Sequence, residues 1–304
     1  MKSLIVSFSG KKITLIEIGE KNEILFLENL VSDYDMSESI TLDRFNDSMI
    51  YSCSDLINSV LKGKTFEEHR VGLLIDSSVA FMNLIPIDFK EPVDTIRSQI
   101  LWDLSNYFPQ NYKEFNVNYF KLKKTNYSPD VKDTLIIALH KVKLEFLKSI
   151  FEFSNLYINI SDIDHLAAEN CIKKVYGYDF RNKKNLIIGI KKKRADLSII
   201  DENNLYYFDY LNTESNVFQE KLAKSLSCFY ERDLDLFFDK IFLYGDNGLH
   251  HIKKLVSSIF PEKEIVLTNP LSIFNYSSIK NTVSNIENEG YKYTPLFGLA
   301  LKGE

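Results

Sequence analysis

Cysteine is scarce in this 304-residue chain: Cys53, Cys171 and Cys228 stand far apart, with no CxxC pair and no metal-ligand spacing. An odd, scattered set fits a reducing compartment and small buried side chains rather than a disulfide framework. No apolar run approaches the roughly 18 residues that would span a bilayer. Charge also interrupts the opening stretch, MKSLIVSFSGKKI, too soon for a secretory leader. The expectation is a cytoplasmic protein with no direct membrane insertion, reaching a membrane only through a partner. Basic residues are in slight deficit, 37 Lys and Arg against 42 Asp and Glu, and the short basic runs lack interleaved aromatics. Nothing marks a nucleic-acid partner. The GxSxG and HExxH motifs are missing, and no Cys stands beside a His. Flexible, low-complexity linkers are missing too, which points to one compact molecule.

What is present is a repeated hairpin. From Asn185 to Asp201 the chain reads NLIIGIKKKRADLSIID, two apolar runs around a basic turn. From Ser3 to Ile16 it reads SLIVSFSGKKITLI. At one constant offset Leu4 matches Leu186, Ile5 matches Ile187, Val6 matches Ile188 and Leu15 matches Leu197, while Lys11 and Lys12 fall on Lys193 and Arg194. Two like hairpins, each opening one half of the chain, suggest an internally duplicated fold.

The elements between them alternate. Residues 22–28 read as a strand and 48–61 as a helix closed by Lys62-Gly63. Two strands, 71–75 and 79–85, flank Asp76-Ser77-Ser78, which reads as a hairpin tip. From Glu91 to Pro109 the spacing of Val93, Ile96, Ile100, Leu101 and Leu104 predicts a helix with Pro92 in its first turn. Strands at 114–122 and 134–139 and a helix at 142–153 complete a β-α unit of about 87–156. A strand at 157–160 and a helix at 163–175, capped by Ser161 or Asp162, return toward the first half. The second half continues with a strand at 205–210, a helix at 217–231 and a strand at 239–244. A loop, Gly245-Asp246-Asn247-Gly248, then precedes a helix at 249–260, a strand at 264–267 and a last helix at 295–301. Strands and helices in this order make an α/β protein.

Few side chains advertise chemistry. The Gly245–Gly248 turn at a helix N-terminus is of the kind that receives phosphate, but its spacing alone favours an ordinary connector. His250 and His251 are adjacent, diverge by about 100° on a helix and cannot share a metal; they read as a solvated face. His140 and His165 read as structural or exposed histidines.

The order of these elements resembles the actin-like ATPase fold, and more narrowly the PilM family of type IV pilus assembly proteins, akin to the division actin FtsA. Ile96-Arg97, Trp102-Asp103, Tyr107-Phe108-Pro109 and Phe115-Asn116-Val117-Asn118-Tyr119 resemble that family's IRWEAEQYIPF…LDY run. Leu135-Ile136-Ile137-Ala138-Leu139 with Lys141 resembles LLVAA-K, and residues 160–167, ISDIDHLA, resemble VDVEAFAL. Asn269-Pro270-Leu271 resembles NPF, and residues 297–303, FGLALKG, resemble IGLALRG. The resemblance implies a duplicated, ribonuclease H-like two-lobed fold. Its expected division is a first lobe at 1–86, an inserted subdomain at 87–156, a return at 157–182, a second lobe at 183–275 and a C-terminal segment at 276–304 packing back on the first lobe.

The resemblance also says where a nucleotide site would lie, and this chain departs from it there. Both hairpins of an actin-like ATPase carry DxG, whose aspartates position metal-bound water and whose glycines admit phosphate. The acid positions here are Ser7 and Gly189, and the glycine positions are Ser9 and Lys191. The phosphate-wrapping turns are Gly10-Lys11-Lys12 and Lys192-Lys193-Arg194; the adenosine-side loop keeps Gly245 and Gly248 around Asp246 and Asn247. Two readings follow: a degenerate site in a surviving scaffold, or Lys191 to Arg194 holding ATP without Mg²⁺. No metal ligand and no catalytic residue is expected. The implied role is a scaffold on the inner face of the cell membrane, binding the cytoplasmic N-terminal tail of a PilN-like membrane protein in a groove between the first lobe and the inserted subdomain. Helix 91–106 and strand 114–122 are its expected walls. Other platform proteins and self-association are further implied contacts. The rivals are an active actin-like ATPase, the cytoplasmic component of a type II secretion platform and, remotely, a sugar or acetate kinase.

Overall fold

The computed structural model describes residues 2–36, 47–66, 68–123, 130–231, 237–245, 248–279 and 286–302. Three strands open it, β1 (Ser3–Ser9), β2 (Lys12–Ile18) and β3 (Ile24–Val31), followed by α1 (Asp47–Leu61) and β4 (Arg70–Ile75). Next come β5 (Phe81–Asp88), α2 (Val93–Tyr107), β6 (Phe115–Lys121), β7 (Val131–His140) and α3 (Lys141–Phe153). The chain returns through β8 (Ile158–Ile163) and α4 (Asp164–Val175). The second half holds β9 (Lys184–Ile190), β10 (Arg194–Asp201), β11 (Asn204–Asn212), α5 (Phe218–Glu231), β12 (Lys240–Gly245), α6 (Leu249–Ile259) and β13 (Glu264–Leu267), and ends in α7 (Ile286–Glu289) and α8 (Thr294–Ala300).

The expected duplication is present in the pairing itself. One sheet runs β3-β2-β1-β4-β8 and the other β11-β10-β9-β12-β13. In the first hairpin Ser7 faces Thr14, and in the second Gly189 faces Asp196, at the same offset. Both central strands are near-continuous apolar runs because both of their faces are covered. Leu4, Val6 and Phe8 of β1 enter the core shared with α1 and α3, while Ile5 turns to the face covered by α8.

Helix α4 is the hinge of this packing. Ala167 and Cys171 lie on the first lobe's core with Phe297 and Leu299 of α8. Ala168 and Ile172, one position on, enter the second lobe's core with Ile187, Ile200 and Phe242. Two adjacent (i, i+4) ridges thus serve two lobes, and the small residues let α8 approach until Asn170 Nδ2 donates to the Gly298 carbonyl at 2.8 Å.

Two expectations need correction. Strands β4 and β5 do not form a hairpin: β4 joins the first sheet, whereas β5 pairs with β7 in a separate sheet of order β5-β7-β6. Asp76-Ser77-Ser78 is therefore a buried 3-10 turn, with Asp76 capping it by accepting from the Ser78 amide at 2.8 Å. The strand cut by the expected boundary at 86–87 belongs whole to this three-stranded sheet. Alternation along β7 also separates the sheet's faces. Leu135, Ile137 and Leu139 point into the first lobe's core, and Ile136 points with Ile96 and Ile100 of α2 away from it. Helix α2, expected as a groove wall, thus lies on the outer face.

Candidate interlobe site

Strands β1 and β4 of one sheet and β9 and β12 of the other run parallel in pairs. Their C-terminal ends converge on a cleft of about 800 Å³. Of the positions singled out by the sequence, Ser7, Ser9, Gly10, Lys191, Lys192, Gly245 and Gly248 line this cleft. Gly189, Lys193 and Arg194 do not. Asp246 and Asn247 lie outside the described residues.

Gly189 is covered. A Cβ there would stand 2.3 Å from both the ring Cζ and the hydroxyl of Tyr244. Tyr244, fully buried on β12, fills the place where a side chain of the second hairpin would project. Its hydroxyl hydrogen-bonds His165 Nδ1 at 2.7 Å, and His165 Nε2 meets Ser198 Oγ at 2.9 Å and Glu169 at 3.4 Å. His165 is thus a fully buried structural histidine. Burial lowers its pKa to about 4, helped by the Lys191 and Arg194 charges and opposed by Asp196. Burial also raises Glu169 to about 7.

The basic turn is the larger surprise. Lys191 and Arg194, which the metal-free reading would set against phosphate, are buried and already paired. Lys191 Nζ lies 2.8 and 2.9 Å from the two oxygens of Asp164, 2.8 Å from Asp196 and 3.8 Å from Asp76, and donates to Ser77 Oγ. Arg194 Nε donates to the other oxygen of Asp196 at 2.6 Å, and its Nη1 to the Ser77 carbonyl at 3.2 Å. Ser77 Oγ in turn donates to Asp196 at 2.7 Å, and Ser9 Oγ to Asp76 at 2.7 Å. Burial would lower the Lys191 pKa, but Asp164, Asp196 and Asp76 together raise it. Asp196, despite its burial, is held below the usual carboxylate range by Lys191 and Arg194. Asp164 is pushed up to about 7, first by burial and then, against Lys191, by Asp76 and Asp196. Lys192 and Lys193 stay nearer the surface, 3.5 and 3.8 Å from Asp35.

A metal and nucleotide held as the resemblance implies does not fit these residues. Tyr244 occupies the second acid position, and the carboxylates nearby are satisfied by Lys191 and Arg194. Among the described residues, no group of three or more His, Cys, Asp or Glu is arranged to hold a metal ion. Asp76, Asp164 and Asp196 were missed from sequence because they belong to three elements. All three lie in stretches that stand out for other reasons: 76–78 as a hairpin tip, 160–167 for its resemblance to VDVEAFAL and 185–201 as the second of two like hairpins.

A second depression, about 710 Å³, lies where the end of α1 and the start of β4 meet the loop from α3 to β8. Leu61, Phe66 and His69 line one side, and Ser154, Leu156 and Tyr157, which follow α3, line the other. His69 Nε2 lies 3.0 Å from Glu17, and its Nδ1 has no hydrogen-bond partner among the described residues.

The family model of the type IV pilus assembly protein PilM matches residues 6–231. Over its whole length the chain superposes on a chain of a PilM-PilN type IV pilus biogenesis complex, with TM-score 0.73, 12% identity and 98% of that chain covered. Ninety per cent of it superposes on a Bacteroides thetaiotaomicron protein of actin-like ATPase fold and unknown function, with TM-score 0.52, 14% identity and 94% of that chain covered. All of it superposes on the ethanolamine utilization protein EutJ from Carboxydothermus hydrogenoformans, with TM-score 0.52, 9% identity and 90% of that chain covered. At such identities the likeness shows the fold, which is actin-like. No curated protein matches by sequence.

Proposed function

The chain belongs to the family of the type IV pilus assembly protein PilM, and from that premise we propose that it is a non-hydrolysing scaffold of a pilus assembly platform. It binds the cytoplasmic N-terminal tail of a PilN-like membrane protein. Among the described residues no helix is long and apolar enough to cross a membrane, so attachment to the inner face of the membrane runs through that partner. The observation that carries the absence of hydrolysis is the covered second acid position, with Tyr244 standing over Gly189. Without carboxylates to orient a hydrated metal, the main device for aiming water at a phosphate is gone.

The tail docks in the depression where the end of α1 meets the loop after α3. Its walls are Phe66, Leu156 and Tyr157 rather than α2, and Tyr157 is 79% exposed. A few apolar anchors and main-chain polar contacts suffice for an extended peptide. Pull-down of the chain by a PilN-like N-terminal peptide tests this: capture by the wild type, lost on Tyr157→Ala and Phe66→Ala, is expected. Capture that survives both substitutions moves the site elsewhere.

One observation favours a second reading of the cleft, in which it takes a nucleotide without metal. Lys11 and Lys192 line it, and the Lys192 side chain is 64% exposed. Calorimetry with ATP decides between them. No binding, with or without Mg²⁺, is the scaffold's expected result. Equal binding in EDTA supports the metal-free reading. Mg²⁺-dependent micromolar affinity overturns both.

A further inference from the structure

The knot around Lys191 ties the two lobes together below the cleft. Lys191, Arg194 and Asp196 come from the second hairpin, on the second lobe. Asp76 and Ser77 come from the turn after β4, on the first lobe, and Asp164 opens α4 between them. Each link named above except Lys191–Asp196, Arg194–Asp196 and Ser9–Asp76 crosses between these elements. Arg194 also reaches the Sδ of Met82, on β5. Asp76, Asp164, Lys191, Arg194 and Asp196 are all at least nine-tenths buried, and Ser77 is fully so.

We propose that Lys191 is a clasp which fixes the angle between the lobes, an ammonium of the chain itself doing the work that a bound ligand does when it bridges two lobes. Three arguments carry it. The ammonium contacts one carboxylate from the first lobe, one from α4 between the lobes and one from its own lobe, so no lobe rotation can preserve all its bonds. Removal from water leaves these pairs unscreened by salt, unlike the surface pair of Lys192 with Asp35. Opening the lobes would also strand charged groups without partners in a poorly hydrated seam, which is costly. The chain's own charges thereby set the angle, beneath a cleft of about 800 Å³.

Hydrogen-exchange mass spectrometry on the full chain tests the clasp. In the wild type, amides of 76–80 and 190–196 are expected in the slowest-exchanging class, and to stay there in 1 M salt. Fast exchange at either segment in the wild type overturns the proposal. In Lys191→Met, which keeps the side chain's length and apolar stem, both segments should exchange at least tenfold faster. The radius of gyration from solution scattering should rise. A folded Lys191→Met with unchanged exchange at both segments also overturns it. Should that variant fail to fold, Ser77→Ala removes two cross-lobe bonds and leaves no charge unpaired. It should accelerate exchange at 190–196, across the lobe boundary from the substitution; acceleration confined to 76–80 overturns the clasp. The readouts need no peptide and no nucleotide, so the result stands or falls apart from the scaffold role.

Discussion

Gly189 and Tyr244 exclude one another: with any Cβ at 189, the Tyr244 ring and hydroxyl 2.3 Å away must move. Because β12 pairs with β9 at Tyr244↔Gly189, the contact is set by strand register and a side-chain rotation alone has little room to relieve it. Gly189→Ala is expected to destabilise the chain by about 1–3 kcal/mol, the usual cost of overpacking. Gly189→Asp should cost more, since it adds a buried charge. Tyr244→Ala alone leaves a cavity and removes the partner of His165 Nδ1. In the double variant Gly189→Ala/Tyr244→Ala the two losses should be clearly less than additive, as coupled neighbours are. Urea denaturation of the four proteins measures the coupling; strict additivity would show that Tyr244 does not fill the position.

Glu169 gives a pH signature. Its ordinary pKa of 4.5 is raised to about 7 in the fold by burial. The folded chain therefore holds a proton that the unfolded chain loses, and this contribution to stability is complete below pH 4.5 and lost as pH rises through about 7. Glu169→Gln fixes the neutral state. Relative to wild type, the variant should gain stability between pH 5 and pH 8.5, by up to about 3 kcal/mol. His165 titrates in the opposite sense, but it is present in both proteins and largely cancels. A stability difference flat with pH would mean that Glu169 is ionised throughout.

Trp102 is the single tryptophan of the chain and is 67% exposed on the outer face of α2. Tail binding in the depression at Phe66 and Tyr157 should leave its emission unchanged, whereas docking on α2 would shift the emission to the blue. Trp102→Ala should change stability by less than about 0.5 kcal/mol. A clear loss of peptide capture in that variant would place the partner on α2.

Gly298 fixes how closely α8 meets α4. A Cβ there would stand 1.8 Å from the Ala167 carbonyl oxygen, a backbone atom that cannot swing aside. Gly298→Ala is expected to cost about 3 kcal/mol or more and to lower the melting temperature by several degrees. Near-wild-type stability would mean that the two helices separate easily.

Much of the architecture was legible because it rests on short-range pattern. The apolar spacing of β1 and β9, the constant offset between the hairpins and the alternation of strands and helices are properties of neighbours in the chain. So is the absence of an acid at Ser7 and Gly189. Physical periodicity carries such information directly, since a strand or helix buries whichever side its spacing makes apolar.

Tertiary structure alone decided what stands in the site. Asp76, Asp164 and Asp196 are separated by 88 and 32 positions in the chain, and no local pattern says that they meet on one ammonium. A Lys in a basic turn reads as solvated, because exposure is the cheap state of a charge. Burying Lys191 becomes affordable only where several carboxylates converge, and that convergence follows from packing two lobes across α4. The sequence by itself determined a duplicated actin-like chain without its acids. The fold decided that Tyr244 and Lys191 occupy the space, and did so through contacts between residues far apart along the chain.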